Sequence, residues 1–372
     1  MDEEKVNSTS NTRHENDLPR PVLVVSKQMA REHSVFLERL LVGLAVESVR
    51  ALLICPPDCD MRSVSFGIVE LVRHPAVDLP FFRKYNRNRL LERLEKYRPT
   101  VLHCLCRSRV AFTRKLARQL NLPYVLTVNS LRRGRRQLSI SSKRCVRITA
   151  PAQSIALGLA KAHPRFAERI EHVNIATFVP NKTNCFSDTG RLTSIVTTAP
   201  PKNDRSFENL LEAVRRLAIE GHEFLVVVMD AGAGEKQLRK AVSSRGLSGI
   251  VIRVPQIRPS RPVLAAGDIF VRFVTGPAFE PLLLEAMSLG MAVAASRGGV
   301  DDLIIEGQTA AVFDPQDKLS IYTCLKELLN VPEASRRIAA AAQKYVRENH
   351  SLDDMISSFV RIYRDASAKP NR

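Results

Sequence analysis

Short apolar runs alternate with helical periods along this 372-residue chain, and that alternation constrains the fold more than any other feature. The first series contains PVLVVSK at residues 21–27, TVLHCLC at 100–106 and PYVLTVN at 123–129, with helix-period segments between them. Each run is nearly continuous in apolar character, which is typical of strands that helices cover on both faces. The order of strands and helices therefore predicts a parallel, doubly wound α/β sheet.

A second series of the same kind follows, with the runs LTSIVTTA, EFLVVVMDAGAG, GIVIRVPQI, GDIFVRFV and MAVAAS. Because the chain is too long for one ordinary core, we predict two Rossmann-like domains that face each other across a cleft. Their predicted bounds are residues 21–180 and 191–350. The polar, turn-rich segment 181–190 is predicted to be the linker, and residues 1–20 a disordered tail.

Composition excludes several classes of protein. With 45% hydrophobic and 25% charged residues, the chain is predicted to be globular. No apolar run approaches the roughly 18 residues of a membrane-spanning helix, and the first twenty residues are polar, so neither a signal peptide nor an anchor is expected. The seven cysteines are scattered, which favours a reducing cytoplasm. Since no CxxC pair is present, we expect buried strand cysteines and no metal site.

The net charge of +18 is concentrated in the first half of the chain. Residues 1–180 hold 31 basic and 16 acidic side chains, a net of +15, and the remainder holds 25 and 22, a net of +3. The densest basic cluster consists of Arg132, Arg133, Arg135 and Arg136. Few aromatic residues lie nearby, so nucleic acid is not the expected partner. We predict docking of this cluster on anionic lipid head groups, with a solvated basic face as the open alternative.

The segment PAFEPLLLEAMSLGMAVAASRGG at residues 277–299 carries the clearest sign of a site. Pro281 suits the first position of a helix, and Gly290 suits its end. This helix would begin at the carboxyl end of the strand GDIFVRFV, where its free N–H groups and dipole attract a diphosphate. Glu285 lies one turn inside, among apolar residues. It is predicted to be an anchored acceptor, with a solvated helix glutamate as the alternative.

These motifs resemble the donor domain of glycosyltransferase family 4, a family of retaining enzymes with the GT-B fold. The family motif E-x-F-G-x-x-x-x-E ends here at Glu285, and SRGGVDDLI and EGQTAAVFDPQD follow in the order that the family has. The resemblance is strong from residue 192 to about residue 364. It implies that Glu285 binds the ribose of a nucleotide-sugar and that the final helix, at 351–372, packs back across the domains.

Other donor-binding residues follow from the same resemblance. Arg205 occupies the position of the family lysine beside the diphosphate, while Pro200 replaces the family arginine. Lys202, two residues on, could substitute for that arginine, with a solvated loop lysine as the open alternative. Gly232 and Gly234, in DAGAGEKQL, match a glycine turn near the base. Leu282 lies at the mouth of the helix that begins at Pro281, and Asp268 is interpreted as structural.

The chain also departs from the family at catalytic positions. Pro277 replaces the first motif glutamate, and Glu280 replaces the glycine three residues later, so that a negative charge lies at the helix mouth. In the first domain His103 is retained on the acceptor side of the cleft, but Asn129 replaces a histidine and cannot shuttle a proton. No catalytic residue is identified; Glu280 is the candidate for a replacement sugar contact.

Two functions remain open at this point. The first is a retaining glycosyltransferase that uses a nucleotide-sugar donor and a lipid-linked or polysaccharide acceptor, without cofactor or metal, in the cytoplasm or at the inner face of the membrane. The second is a GT-B protein that has lost transfer and kept donor or partner binding. The four departures from the family motifs favour it: Pro200, Pro277, Glu280 and Asn129.

Overall fold

The computed structural model describes residues 18–59, 69–75, 81–131, 140–188, 190–199, 207–229, 235–255, 260–273 and 276–368. The chain divides into two units. The first unit is Met1–Ala176 with Leu352–Arg372, and the second is Thr177–Ser351.

Thirteen strands lie within the described ranges. They are β1 Pro21–Val24, β2 Ala51–Cys55, β3 Val69–Arg73, β4 Val101–Cys104, β5 Tyr124–Thr127, β6 Cys145–Ala150, β7 Ile170–His172, β8 Thr193–Thr198, β9 Phe224–Met229, β10 Val251–Val254, β11 Ile269–Arg272, β12 Ala292–Ser296 and β13 Ala311–Phe313. The first seven form one parallel sheet in the order β3-β2-β1-β4-β5-β6-β7, and the rest form a second in the order β10-β9-β8-β11-β12-β13. Both sheets were predicted.

The α-helices of the described ranges separate these strands. They are α1 Lys27–Glu32, α2 Ser34–Val46, α3 Arg83–Tyr97, α4 Val110–Gln119, α5 Gln153–Ala162, α6 Phe207–Ile219, α7 Glu235–Ser243, α8 Arg261–Ala265, α9 Pro281–Ser288, α10 Lys318–Asn330, α11 Pro332–Asn349 and α12 Leu352–Ala368. No helix among them is both long enough and apolar enough to cross a membrane.

In each sheet the strand order reverses beside the first strand of the unit. β1 pairs with both β2 and β4, and β8 pairs with both β9 and β11. Sheets of this kind bind ligands at the carboxyl ends of the strands at such a reversal. The carboxyl ends of β8 and β11 are therefore the first place to look for a site in the second unit.

The final helix belongs to the first unit. Its apolar stripe is buried, with Phe359 lying 6.3 Å from Phe36 between ring centroids. Gly43 of α2 admits this helix closely, because a Cβ there would lie 2.3 Å from a side-chain carbon of Ile356. The predicted stripe is thus correct, and its contacts with α2 lie within one unit.

The segment predicted to be a linker packs instead against the second unit. The amide of Cys185 donates to the carbonyl of Gly290 at 2.9 Å, and the amide of Phe186 donates to Asp268 Oδ1 at 2.9 Å. Cys185 is buried. The polar composition of residues 181–190 therefore reflects hydrogen bonds to neighbouring elements, and the boundary between units falls after Ala176.

Candidate functional site

Helix α9 begins where the sequence predicts, with Pro281 at its first position after the extended Glu280. Pro281 contributes no N–H, so the first turn presents the amides of Leu282 and Leu283, which have no partners within a helix. The helix ends before Gly290, whose φ of 68° and contact with Thr183 exclude a side chain, because a Cβ would lie 2.7 Å from a backbone carbon. The predicted helix and its glycine stop are confirmed.

Glu280 is bound by a buried arginine that the sequence analysis did not identify. The Nε of Arg272 donates to Glu280 Oε1 at 3.1 Å, and Nη2 lies 2.9 Å from the same oxygen. The Arg272 side chain is 1% exposed and that of Glu280 is 29% exposed. Burial raises the pKa of Glu280, and the neighbouring guanidinium opposes that rise. The side chain of Glu280 makes no capping hydrogen bond to α9.

Three backbone carbonyls hold the same guanidinium in place. Arg272 Nη1 donates to the carbonyl of Ser296 at 2.9 Å, and Nη2 donates to those of Gly298 and Val300 at 3.2 and 3.0 Å. These contacts join the end of β11 to the turn after β12. Arg272 thus fixes the carboxylate of Glu280, while the Glu280 side chain as a whole is 29% exposed.

The glycine turn after β12 packs directly against the loop that precedes α9. Gly299 has a φ of 72°, and a Cβ at this position would lie 2.2 Å from the carbonyl oxygen of Gly276. The amide of Val300 donates to that same oxygen at 3.0 Å. Only glycine allows this approach, which explains the Gly-Gly pair in the SRGGV segment.

Glu285 is buried, and protein groups bind both of its carboxylate oxygens. Thr177 donates its hydroxyl to one oxygen at 2.5 Å, and Arg261 of α8 donates to the other. The Glu285 side chain is 4% exposed, and that of Arg261 is 27% exposed. The alternative of a solvated helix glutamate is therefore wrong. The carboxylate is an anchored acceptor, held by Thr177 and Arg261.

Asp268 has the structural role that the sequence predicted. Arg191 forms two hydrogen bonds with its carboxylate, at 2.8 and 2.9 Å, and the amides of Ser194 and Phe186 add two more at 2.9 Å each. The residue is 2% exposed. These contacts join the start of β8 and the 181–190 segment to β11.

In the first unit, His103 lies inside the fold and not at an open surface. Its ring nitrogens contact Tyr363 Oη at 2.6 Å and Thr127 Oγ1 at 2.7 Å, and Thr127 continues to Thr149 at 2.7 Å. Burial lowers the pKa of His103 to about 3, so the ring is neutral. This location corrects the prediction that His103 faces an acceptor, because its contacts fix α12 to the sheet instead.

Asn129 lies just past β5, at the carboxyl edge of that sheet. Its amide nitrogen donates to the carbonyl of Leu105 at 3.5 Å, and its Oδ1 is buried without a hydrogen-bond partner among the described residues. The structure thus places Asn129, unlike His103, at the edge where ligands bind in α/β sheets.

Cys106 was missed as a reactive group. It follows β4 and is partly exposed, whereas the other six cysteines, all free thiols, are buried. Hydrogen bonds from Cys104, Ser108 and Ser26 lower its pKa to about 6, against the effect of partial burial. The CxC spacing at the carboxyl end of a predicted strand was the available signal.

The remaining predicted residues lie outside the described ranges. They are Lys202, Arg205, Gly232 and Gly234 of the donor site, and Arg132, Arg133, Arg135 and Arg136 of the basic cluster. Their roles stay predictions. Within the part of the chain that the structure describes, no group of three or more His, Cys, Asp or Glu side chains could hold a metal ion.

Comparison with known proteins finds a family match in the second unit. Residues 193–331 match the family model for glycosyl transferases group 1. All of the matched residues lie within the second unit. Over 151 residues the chain is 24% identical to the O-antigen chain mannosyltransferase C of Escherichia coli, which covers 39% of this chain. The chain spans less than half the length of the curated relatives that it matches: 41% of this mannosyltransferase and 27% of a second relative.

Solved structures extend the likeness beyond residues 193–331. A glycosyltransferase from Rickettsia africae has a TM-score of 0.77 at 14% identity and covers 95% of this chain and all of its own. Anabaena Alr3699/HepE in complex with UDP and glucose has a TM-score of 0.76 at 12% identity, covering 93% of this chain and 100% of its own. At these identities the likeness establishes the fold alone. The chain has the GT-B fold, as predicted.

Proposed function

We propose that this chain is a glycosyltransferase that moves a sugar from a nucleotide-sugar to a lipid-linked or glycan acceptor with retention of configuration. The observation that carries the proposal is the N-terminus of α9, which follows the carboxyl end of β11 within the residues that match the group 1 family model. A helix N-terminus at this edge attracts a diphosphate. A protein of the same fold was solved with UDP and glucose bound, which supports a nucleotide-sugar donor.

Glu280 is the residue that we assign to the transferred sugar. Pro277 cannot supply the carboxylate of the family motif, whereas Glu280 has a partly exposed side chain whose carboxylate Arg272 holds in one place. A fixed acceptor can bind sugar hydroxyls without losing conformational entropy on binding. Because no side-chain base is identified, a phosphate oxygen of the donor takes the proton of the acceptor.

Ribose binding by Glu285 would add to the contacts that the carboxylate already has. Thr177 and Arg261 each donate to one of its oxygens. A carboxylate oxygen can accept more than one hydrogen bond, so a ribose hydroxyl does not have to displace Arg261. Arg261 also donates to the carbonyl of Phe178, at 2.8 Å, which holds its guanidinium beside Glu285.

The test is a titration of the protein with UDP-, GDP- and ADP-sugars, followed by assays of donor hydrolysis and of transfer. With Glu280→Gln, we expect turnover to fall by about 10²-fold while nucleotide affinity changes less than about threefold. The matched control is Glu212→Gln, a partly exposed carboxylate on α6 that pairs with Arg215. Equal activity of both variants would remove Glu280 from the mechanism, and absence of donor binding would refute the function.

The alternative is a GT-B protein that binds a donor without transferring it. The observation that favours it is the engagement of Glu285 by protein donors, together with an amide at Asn129 in place of a base. It predicts nucleotide-sugar binding in the titration with neither hydrolysis nor transfer for any donor and acceptor pair.

A peripheral location at the inner face of a membrane is part of the first proposal. It depends on the cluster at residues 132–136 and on the +15 charge of residues 1–180. Sedimentation with vesicles tests it: the protein should pellet with anionic lipid and not with neutral lipid. Equal binding to both would contradict it.

A further inference from the structure

A hollow of about 1200 Å³ lies at the amino edge of the sheet in the first unit. Arg20 precedes β1 there, Arg50 precedes β2, and Glu70 lies in β3, while the C-terminal half of α3 forms the other wall. The amino and carboxyl ends of parallel strands lie at opposite edges of a sheet. The hollow is therefore distinct from any ligand site at the carboxyl ends, and it does not depend on the proposed function.

Basic side chains outnumber acidic ones in this hollow by six to three. The basic residues are Arg20, Arg50, Arg89, Arg93, Lys96 and Arg98. Arg93 pairs with Glu70 at 2.7 Å. Among the described residues, the side chains of Arg50, Arg89, Lys96 and Arg98 make no ion pair or hydrogen bond. The lining thus carries an excess of three positive charges, six against three, which attracts an anionic ligand.

The floor of the hollow is fixed by hydrogen bonds between its elements. Tyr97 donates its hydroxyl to the carbonyl of Arg50 at 2.6 Å, and the amide of Arg20 donates to Thr100 Oγ1 at 2.9 Å. The Nε of Arg20 is buried and has no hydrogen-bond partner within the described ranges. Since a buried N–H without an acceptor is unfavourable, this atom is available to a ligand oxygen.

Arg98 occupies a position where glycine is the usual choice. It caps the C-terminus of α3 with φ 53° and ψ 62°, in the left-handed region. The helix dipole favours a cation near this end, but it does not favour a residue with a Cβ in this conformation. Nor does the dipole account for Arg20 and Arg50, which precede strands. A strained arginine at the rim is consistent with a binding role.

We propose that this hollow binds a phosphorylated polyol. Guanidinium groups match phosphate oxygens through paired hydrogen bonds, and the three glutamates can accept hydrogen bonds from hydroxyl groups. The volume exceeds that of a single phosphate and suits a ligand of sugar-phosphate size. The same chemistry occurs in free sugar phosphates and in inositol-phosphate lipid head groups, which the experiment distinguishes.

The experiment measures binding of the full chain at low ionic strength in two arms. The first titrates fructose 1,6-bisphosphate by calorimetry, and the second sediments the protein with vesicles of phosphatidylcholine with and without a phosphoinositide. In the double variant Arg50→Gln, Arg98→Gly, affinity should fall by about tenfold or more in the arm that binds. Glycine at residue 98 relieves the left-handed strain, so this variant should remain folded.

The matched control is Lys84→Gln with Arg87→Gln, which removes the same charge from α3 outside the hollow. It should keep affinity within about twofold. Binding in the calorimetric arm alone identifies a free metabolite, and binding that requires the phosphoinositide identifies a head group. Absence of binding in both arms, or equal losses in the two double variants, would overturn the proposal.

Discussion

His103 in the first unit and Arg272 in the second are both fully buried polar residues in the strand next to the first strand of their sheet. His103 is neutral and shares its ring nitrogens with two hydroxyl groups, whereas Arg272 is charged and pairs with Glu280. Two further carboxylates of the second unit, Asp268 and Glu285, also pair with arginines.

The difference between neutral His103 and charged Arg272 shows where in the molecule a buried charge is required. A buried ion pair loses hydration that its Coulomb attraction barely recovers, so apolar packing would serve stability as well. The Arg272–Glu280 pair lies at the mouth of α9, where a transferase has to contact a sugar and a diphosphate. In the first unit the equivalent strand holds a fold-stabilising hydrogen-bond network around His103. Cys106 and Asn129 lie beyond the carboxyl ends of β4 and β5.

Removal of the Arg272 side chain should have the largest effect on the stability of the second unit relative to the first. With Arg272→Leu, the second unit should lose about 3–5 kcal/mol of unfolding free energy, because Glu280 and three carbonyls lose their donor. Hydrogen exchange of β8 and β11 measures this loss, with β1 and β4 as the internal reference.

The control is the double variant Arg272→Leu, Glu280→Gly, which also removes the unpaired carboxylate. It should recover about half of that loss, since the carbonyls remain without donors. An equal loss in the single and double variants would show that the ion pair has no role in stability.

Substitution of Gly299 tests whether the backbone or the ion pair sets the geometry between the turn after β12 and the loop that precedes α9. Gly299→Ala should cost the second unit about 3 kcal/mol, because its Cβ would collide with the carbonyl of Gly276 at a left-handed φ. Gly221→Ala is the control: it has a φ of 88° but open space around the Cβ, and should cost about 1 kcal/mol. Both are measured by the same exchange experiment. Similar costs for the two would contradict the close approach.

Acid should affect the first unit through His103. The pKa of His103 is lowered to about 3 in the folded state, so the unfolded state binds the proton more readily. The stability that is present above pH 6.5 is therefore lost as pH falls toward 3. Between pH 7 and pH 5 this amounts to about 2 kcal/mol. Exchange of the β4 amides, corrected for intrinsic rates, should show this loss in the natural protein and not in His103→Gln. A parallel pH dependence in the two proteins would assign the effect elsewhere.

The smallest effect concerns reactivity and not stability. Because the pKa of Cys106 is lowered to about 6, its alkylation by iodoacetamide should rise between pH 5 and 7 and change little above that range. Intact mass should show one modification in the native protein and none in Cys106→Ser. A midpoint near pH 8.5, the ordinary value for a thiol, would contradict the hydrogen-bonded thiolate.

Local patterns were enough to predict the elements around the site. Apolar runs predicted both sheets, and Pro281 with Gly290 predicted the bounds of α9, because proline and glycine act through the conformation of their own residue. The pattern missed Arg272, since a single arginine in GDIFVRFV does not reveal whether its side chain meets solvent or a carboxylate. It also misplaced His103, because the partner that buries that ring, Tyr363, lies 260 residues away.

The amino-acid sequence by itself determined the alternation of strands and helices, the helix mouth near residue 281 and the group of proteins that this chain resembles, since each depends on residues close together in the chain. Only the tertiary structure decided which polar side chains are available. Arg261 binds Glu285, and Tyr363 binds His103. Arg272 holds Glu280, whose side chain is partly exposed. The physical reason is that the availability of a polar group depends on its hydrogen-bond partners, and those partners come from distant segments that meet only when the chain folds.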